Sequence, residues 1–199
     1  NESSPMFEED TDGTIWFSHW QKGLFRLYMN SAYDSITQVG IYNEYKGFPS
    51  NRNNTIFRVA NRIVFSSERG FYLYNARNDK MEPYQKLNKL FTSPPSYMRL
   101  HESKNGDVWC LSGRFLGLAR KTGKDAYSMD SLTYRILQPK IIIGFENFNF
   151  IDENHLILNT EDGFSWIDTR RITPTKNTFK VILNSVIATN DNSSELETK

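Results

Sequence analysis

Residues 10 to 28, Asp10-Thr11-Asp12-Gly13-Thr14-Ile15-Trp16-Phe17-Ser18-His19-Trp20-Gln21-Lys22-Gly23-Leu24-Phe25-Arg26-Leu27-Tyr28, read as turn, strand, turn and strand. Asp12-Gly13 is a tight-turn dipeptide and Ile15 to Ser18 is an apolar, β-prone run. Gly23 falls where the chain must reverse again before Leu24 to Tyr28. With the short run before Asp10, the stretch predicts a three-stranded meander.

Three weaker echoes follow. Gly23-Leu24-Phe25, Gly70-Phe71-Tyr72, Gly117-Leu118-Ala119 and Gly163-Phe164-Ser165 recur at intervals of 47, 47 and 46 positions, within the period range of blade-type repeats. Upstream of each glycine lies an apolar strand: Ile15 to Ser18, Ile63 to Ser66, Val108 to Leu111 and Leu156 to Asn159. Before each strand comes a turn, at Asp12-Gly13, Ala60-Asn61-Arg62, Asn105-Gly106 and Glu153-Asn154, where an Asn or Gly can take the positive φ of a tight hairpin. Earlier still sits a first strand, Pro5 to Glu9, Thr55 to Val59, Met98 to Glu102 and Asn147 to Ile151. Fourth strands are predicted at Ile36 to Tyr45, around Met81 to Leu87, and at Thr133 to Leu137.

Four antiparallel strands per unit define the blade of a β-propeller. The predicted fold class is all-β, a propeller fragment of about four four-stranded antiparallel blades. Residues 1–5 flank the blades, which fall at about 6–46, 54–90, 97–138 and 147–169. Pro-containing stretches 43–54, 89–97 and 139–146 connect them. Residues 170–178 form a polar linker, and Phe179 to Ile187 reads as a strand that either completes the last blade or opens a following domain. Strands held between blades carry apolar side chains on both faces, so Trp16 with Phe17, Phe71 with Tyr72 and Phe148 with Phe150 read as packing residues.

Composition bounds the function. With 199 residues, 38% hydrophobic and 14% aromatic, the chain can bury a sizeable core. Lys and Arg number 24 against 23 Asp and Glu, so the basic excess that nucleic-acid binding requires is missing. The single cysteine, Cys110, cannot form an intramolecular disulfide and fits a cytoplasmic and an exported domain alike. No stretch reaches about 18 consecutive apolar residues. The first residue is Asn1, without an initiator Met, and the sequence reads as a piece of a longer protein whose leader and membrane span lie elsewhere.

The opening stretch resembles the two-component regulator propeller repeat: an acidic residue, a DG-type turn, an Ile-Trp strand, a short loop, then Gly-Leu followed by an aromatic and a basic residue. Asp10, Asp12, Gly13, Ile15, Trp16, Gly23, Leu24 and Arg26 match it. The third unit keeps Asn105-Gly106, Val108-Trp109 and Gly117-Leu118, while the second lacks the Trp and the DG turn. The fourth looks like the closing blade that in this family precedes a three-tyrosine β-sandwich, with Phe179 to Ile187 as that sandwich's first strand. The resemblance implies the periplasmic, extracytoplasmic propeller of a membrane-anchored bacterial sensor. Many such sensors detect carbohydrates, and their output is a histidine kinase or a helix-turn-helix elsewhere in the chain. It implies no cofactor and no catalysis by this segment.

Asp10-Thr11-Asp12-Gly13 has the opening of a calcium loop but lacks the downstream bidentate carboxylate, so it reads as turn chemistry. His19, His101 and His155 are not spaced as metal ligands, and no phosphate loop, nucleophile elbow or paired-carboxylate motif occurs. The loops before the glycine strands are the candidate ligand surface, with His19, Trp20, Arg69, Arg114 and Phe115 as candidate contacts. Aromatic faces and guanidinium forks are the groups that stack on sugar rings and bind carboxylates. The expected partners are a small-molecule ligand of the oligosaccharide class and a second copy of the chain. The alternative is an interaction scaffold without a small-molecule ligand.

Overall fold

The structure is a computed structural model that describes residues 6–19, 21–93, 98–124 and 126–171, with the backbone of 186–187 and 195–196. It is all-β. The first sheet is β1 (Met6–Glu9), β2 (Ile15–His19), β3 (Gly23–Met29) and β4 (Ile36–Tyr42). The second is β5 (Thr55–Val59), β6 (Arg62–Ser67), β7 (Gly70–Asn75) and β8 (Lys80–Pro83), followed by one helical turn at Gln85–Asn88. The third is β9 (Arg99–Glu102), β10 (Val108–Ser112), β11 (Phe115–Gly123) and β12 (Ala126–Asp130). The fourth has three strands among the described residues, β13 (Phe148–Phe150), β14 (His155–Thr160) and β15 (Gly163–Asp168). Every pairing is antiparallel between chain neighbours, which gives four propeller blades.

Of the expected fourth strands, one moves and one is shortened. The third unit's is β12 at 126–130, which hairpins directly onto β11, while Arg135–Lys140 is a 3-10 turn containing Pro139. The second unit's ends at Pro83, where the chain coils into the short helix. Most of the expected strand 179–187 lies outside the described residues; Val186–Ile187 pairs with Glu195–Leu196 rather than with β15.

The turns follow side-chain chemistry. In the first blade Asp10 N–H donates to the Thr14 carbonyl and Gly13 N–H to the Asp10 carbonyl, with Gly13 at φ +79°. Ser103 to Asp107 repeats both bonds in the third blade. The second blade uses the two-residue Ala60-Asn61 turn with both φ positive, the geometry that matches strand twist. In the fourth blade Ile151 N–H repeats the first of these bonds, to the His155 carbonyl, and Asp152 Oδ1 accepts the Asn154 and His155 N–H groups.

Each strand buries alternate residues against the blade before and the blade after. Trp16, Leu24, Tyr42 and Phe48 of blade one meet Ile56, Ile63, Phe65, Tyr72 and Met81 of blade two. Phe57, Val59, Val64, Phe71, Tyr84 and Leu87 then meet Met98, Leu100, Val108, Cys110 and Ala119. Trp109, Leu111, Leu116, Leu118, Tyr134 and Ile141 meet Phe148, Leu156, Leu158 and Ile167.

The ladders also correct the glycine alignment. Gly70 and Gly163 close two-residue turns against Ser67 and Thr160, but in the third blade Phe115 does so against Ser112. Gly117 therefore lies inside β11, and Trp109 pairs with Leu118 where Trp16 pairs with Arg26. A Cβ on Gly117 would meet the Phe115 ring at 2.8 Å, so close packing, not a turn, demands that glycine.

Arg26 is 4% exposed and sits at the first junction. Its Nε donates to Thr14 Oγ1 at 2.9 Å and its Nη2 to Asp12, while its guanidinium lies 5.0 Å from the Trp16 ring and 4.6 Å from that of Tyr74. Asp10 Oδ2 accepts the Trp16 indole N–H at 3.0 Å. Burial pushes the Asp12 carboxyl up, but hydrogen bonds from Thr14 and the Arg26 charge outweigh it and hold the group below its ordinary range. Nearby, Asp79 accepts from Lys46, from Tyr42 Oη at 2.7 Å and from Tyr74 Oη at 3.0 Å. Those bonds bring its carboxyl down to about 2.

Two outcomes are expected. Arg26→Leu lowers unfolding free energy by about 1–3 kcal/mol in urea titrations, because three rings lose their cation and Thr14 its donor; Asp12 is half exposed and recovers water. Asp79 has a depressed folded pKa, so its stabilisation is present above about pH 4 and drains as pH falls towards about 2. Asp79→Asn, which still suits the φ of +52° there, flattens that acid limb while leaving the slope at neutral pH unchanged.

Candidate functional site

The sequence-derived contact residues do not converge on one cleft. His19 ends β2 turned into its own loop, its Nδ1 accepting the Gln21 and Lys22 N–H groups at 3.2 and 3.1 Å, and it is 9% exposed. Trp20 lies outside the described residues. Arg69 and Arg114 stand exposed at the tips of the β6–β7 and β10–β11 turns, on the same side of adjacent blades. Phe115 is the first residue of β11, partly buried, with its ring centroid 5.9 Å from that of Phe91. His19, Arg69, Arg114 and Phe115 line none of the clefts described here.

A groove near the inner edge is formed by first strands. Met6, Phe7 and Glu8 of β1, Ile56, Phe57 and Arg58 of β5, and Leu100, His101 and Glu102 of β9 enclose an open cleft of about 590 Å³. The strands come together because β1, β5 and β9 are the first strands of consecutive blades and pack side by side. Ladder partners Ile15, Ile63 and Val108 place Glu9, Arg58 and Glu102 at one register position, so charge alternates from blade to blade.

The charges are tied down. Arg58 Nε lies 3.3 Å from Glu8 Oε2 and its Nη2 donates to the Glu9 carbonyl. Glu102 Oε2 accepts the Ala60 N–H at 2.7 Å. His101 stacks on Phe150 at 4.6 Å and meets Phe148 edge-on. Burial pushes the His101 pKa down, with Glu102 opposing, so the imidazole is neutral at pH 7. The groove thus offers two carboxylates, one guanidinium, a neutral imidazole and apolar walls. That is a donor and acceptor set for a polyhydroxylated or cationic molecule, not for a polyanion.

The sequence passes over this groove because each first strand has only four or five residues and its charged positions align only once the ladder register is known. The first turn is equally clear in three dimensions: Asp10 and Asp12 spend their carboxylates on Trp16, Thr14 and Arg26. Among the described residues no three His, Cys, Asp or Glu side chains cluster to hold a metal ion. No helix among them is long and apolar enough to cross a membrane.

No protein-family model and no curated protein matches this chain. Among solved structures it is similar to the extracellular domain of the hybrid two component system BT3049 from B. thetaiotaomicron, with 18% identity and TM-score 0.55 over 96% of this chain and 26% of that one. It is also similar to the extracellular domain of BT4673 from the same organism, described as a one component system in one structure and as a hybrid two component system in another. Those two give 16% and 18% identity and TM-scores of 0.55 and 0.54, each over 84% of this chain and 22% of that one. The chain spans about a quarter of the length of these proteins. At such identities the likeness establishes the fold.

His101 gives the groove a pH signature. Its folded pKa lies below the unfolded value of about 6.5, so the unfolded state binds the extra proton and stability falls as pH drops below about 6.5. His101→Phe preserves the stacking on Phe150 and removes that slope; denaturant titrations of both proteins between pH 7.5 and 5 measure it as a difference.

Proposed function

We propose that this chain is a ligand-sensing, extracytoplasmic segment of a bacterial signal-transduction regulator, that its ligand is a carbohydrate, and that it performs no catalysis itself. The observation that carries the reading is a fold shared, over most of this chain, with extracellular domains of bacterial signalling systems. The groove supports the ligand class: paired carboxylates and guanidinium fix hydroxyl groups, and Phe7, Phe57 and Leu100 supply apolar contact. Its excess of carboxylates over guanidinium favours neutral over acidic saccharides. Exposed Arg69 and Arg114 lie on the outer turn face of the same segment.

Isothermal calorimetry of the chain against neutral oligosaccharides of glucose, galactose and arabinose, with a uronate oligomer alongside, tests this. Binding of a neutral member, weakened about tenfold by Arg58→Ala, is the expected result, a loss of about 1.4 kcal/mol. Silence across the panel, or binding indifferent to Arg58, overturns the ligand assignment.

A specific observation favours a second reading, a self-associating scaffold. Phe7, Phe17, Phe25 and Ile41 form one cross-strand row on the free face of blade one, with Phe7 75% exposed, and Phe164 and Trp166 are exposed on the free face of blade four. On this reading a second copy lays its blade-one face on blade four, repeating the internal junctions head to tail. Light scattering after size exclusion gives a mass that rises with concentration and falls back with Phe25→Glu. A monomer at every concentration ends the second reading.

A further inference from the structure

The third junction carries a cavity. It measures about 190 Å³, well above the space of a single water, and lies where blades three and four meet at the β1–β2 type of turn. Its floor is Trp109, Leu118, Tyr134 and Phe150, and its rim includes Ser103, Asn105, Asp107 and Asn154.

Comparison with the first junction explains the space. Tyr134 packs on Trp109 at 4.6 Å as Tyr42 packs on Trp16 at 4.6 Å, and the turns Ser103 to Asp107 and Asp10 to Thr14 share their backbone bonds. At the first junction the room beside the tryptophan is filled by the Arg26 guanidinium. Leu118 stands at that ladder position in blade three, and its shorter, uncharged side chain leaves the room open. Asp10, the acceptor for the Trp16 indole, is replaced by Ser103, whose hydroxyl donates to Asn105 and the Asp107 carbonyl. Among the described residues nothing accepts the Trp109 indole N–H, although Trp109 is only 2% exposed and lines the cavity. A guest that supplies an acceptor therefore gives this indole N–H a hydrogen-bond partner inside the cavity.

The charges around the cavity are already spent. Lys104 pairs with Glu153 across the mouth at 2.9 Å, linking the two blades, and Arg120 pairs with Asp130 at 3.0 Å. Asp107 accepts the Lys121 N–H at 2.7 Å and the Asn105 amide at 3.0 Å. What remains for a guest is an apolar floor, one indole donor, and amide and hydroxyl groups on the rim.

We infer that this cavity is a binding site for one small uncharged polyhydroxylated molecule of single-ring size, held with an oxygen on the Trp109 indole N–H. It is separate from the groove of the first strands and does not depend on that assignment. By bridging blades three and four beside the Lys104–Glu153 pair, an occupant would also tighten their junction.

The test is nitrogen-edited NMR of the uniformly labelled chain, titrated with glucose, galactose, arabinose and myo-inositol into the tens of millimolar, following the assigned indole N–H of Trp109. The expected result is a saturable shift of that resonance by at least one probe. Leu118→Arg, which refills the space as Arg26 does, abolishes the shift. Should that variant fail to fold, Asn154→Ala at the rim decides, weakening the affinity about threefold to tenfold. No shift of the Trp109 indole with any probe overturns the site. So does a shift that survives Leu118→Arg and vanishes with Arg58→Ala, since the sugar would then sit in the groove and the sensing reading would stand without this cavity.

Discussion

A cation buried between two sheets sets the most demanding condition in this fold. Arg26 loses nearly all its water, and that loss is tolerated only because Asp12, Thr14 and the faces of Trp16, Tyr28 and Tyr74 receive it together. Each partner places its own demand on the chain. Asp12 reaches the guanidinium because Gly13 takes a positive φ, and Trp16 holds its angle because Asp10 accepts its indole N–H. Tyr74 belongs to the next blade and is steadied by Asp79, which also binds Tyr42 and Lys46. A slip of one residue in β2 or β3 would turn Trp16 or Arg26 to the opposite face and strand the whole set. The pattern Asp10, Asp12-Gly13, Ile15-Trp16 and Gly23-Leu24-Phe25-Arg26 is thus the covalent record of one junction.

The blades were legible because their strands combine β-prone apolar runs with turn residues at short spacing. Ile15 to Ser18 and Ile63 to Ser66 lie within β2 and β6 as read, and Thr55–Val59 is β5 residue for residue. Outer strands were harder. β12 is Ala126-Tyr127-Ser128-Met129-Asp130, an edge strand whose alternate polar residues resemble loop sequence, whereas Thr133 to Leu137 carries the apolar density of a strand and forms a turn instead. There Asp130 takes over, its carboxylate accepting the Thr133 N–H and hydroxyl and ending the strand. Gly117 misled for a related reason: glycine marks a turn in one blade and a tight contact in another, and sequence alone gives both the same letter.

The candidate site was less legible than the fold. His19 and Phe115 are ligand-type residues by chemistry, yet the first caps its own loop and the second starts a strand against Phe91. Neither role leaves a mark in composition. Conversely Glu8, Arg58, His101 and Glu102 are scattered over nearly a hundred positions, and only the stacking of three first strands joins them. The groove at the inner edge is a property of register between blades. A repeat alignment anchored on the wrong glycine loses it.

The equivalences also say what the outer faces are. Leu24, Phe71 and Leu116 occupy one ladder position and are almost wholly buried against the following blade; Phe164 occupies the same position and is 69% exposed. Trp16, Val64 and Trp109 likewise correspond to Ile157 on the open face of β14. On the opposite side Phe17 and Phe25 stack at 4.8 Å where Phe65 and Tyr72 are covered by blade one. Terminal units of stacked repeats stay soluble by carrying polar outer faces, and neither end blade has one. Both therefore have the chemistry of interior blades. Among the described residues blades one and four each have a neighbouring blade on one side only, and any surface that covers Phe25 or Trp166 adds to their stability by the same apolar burial that joins the blades internally.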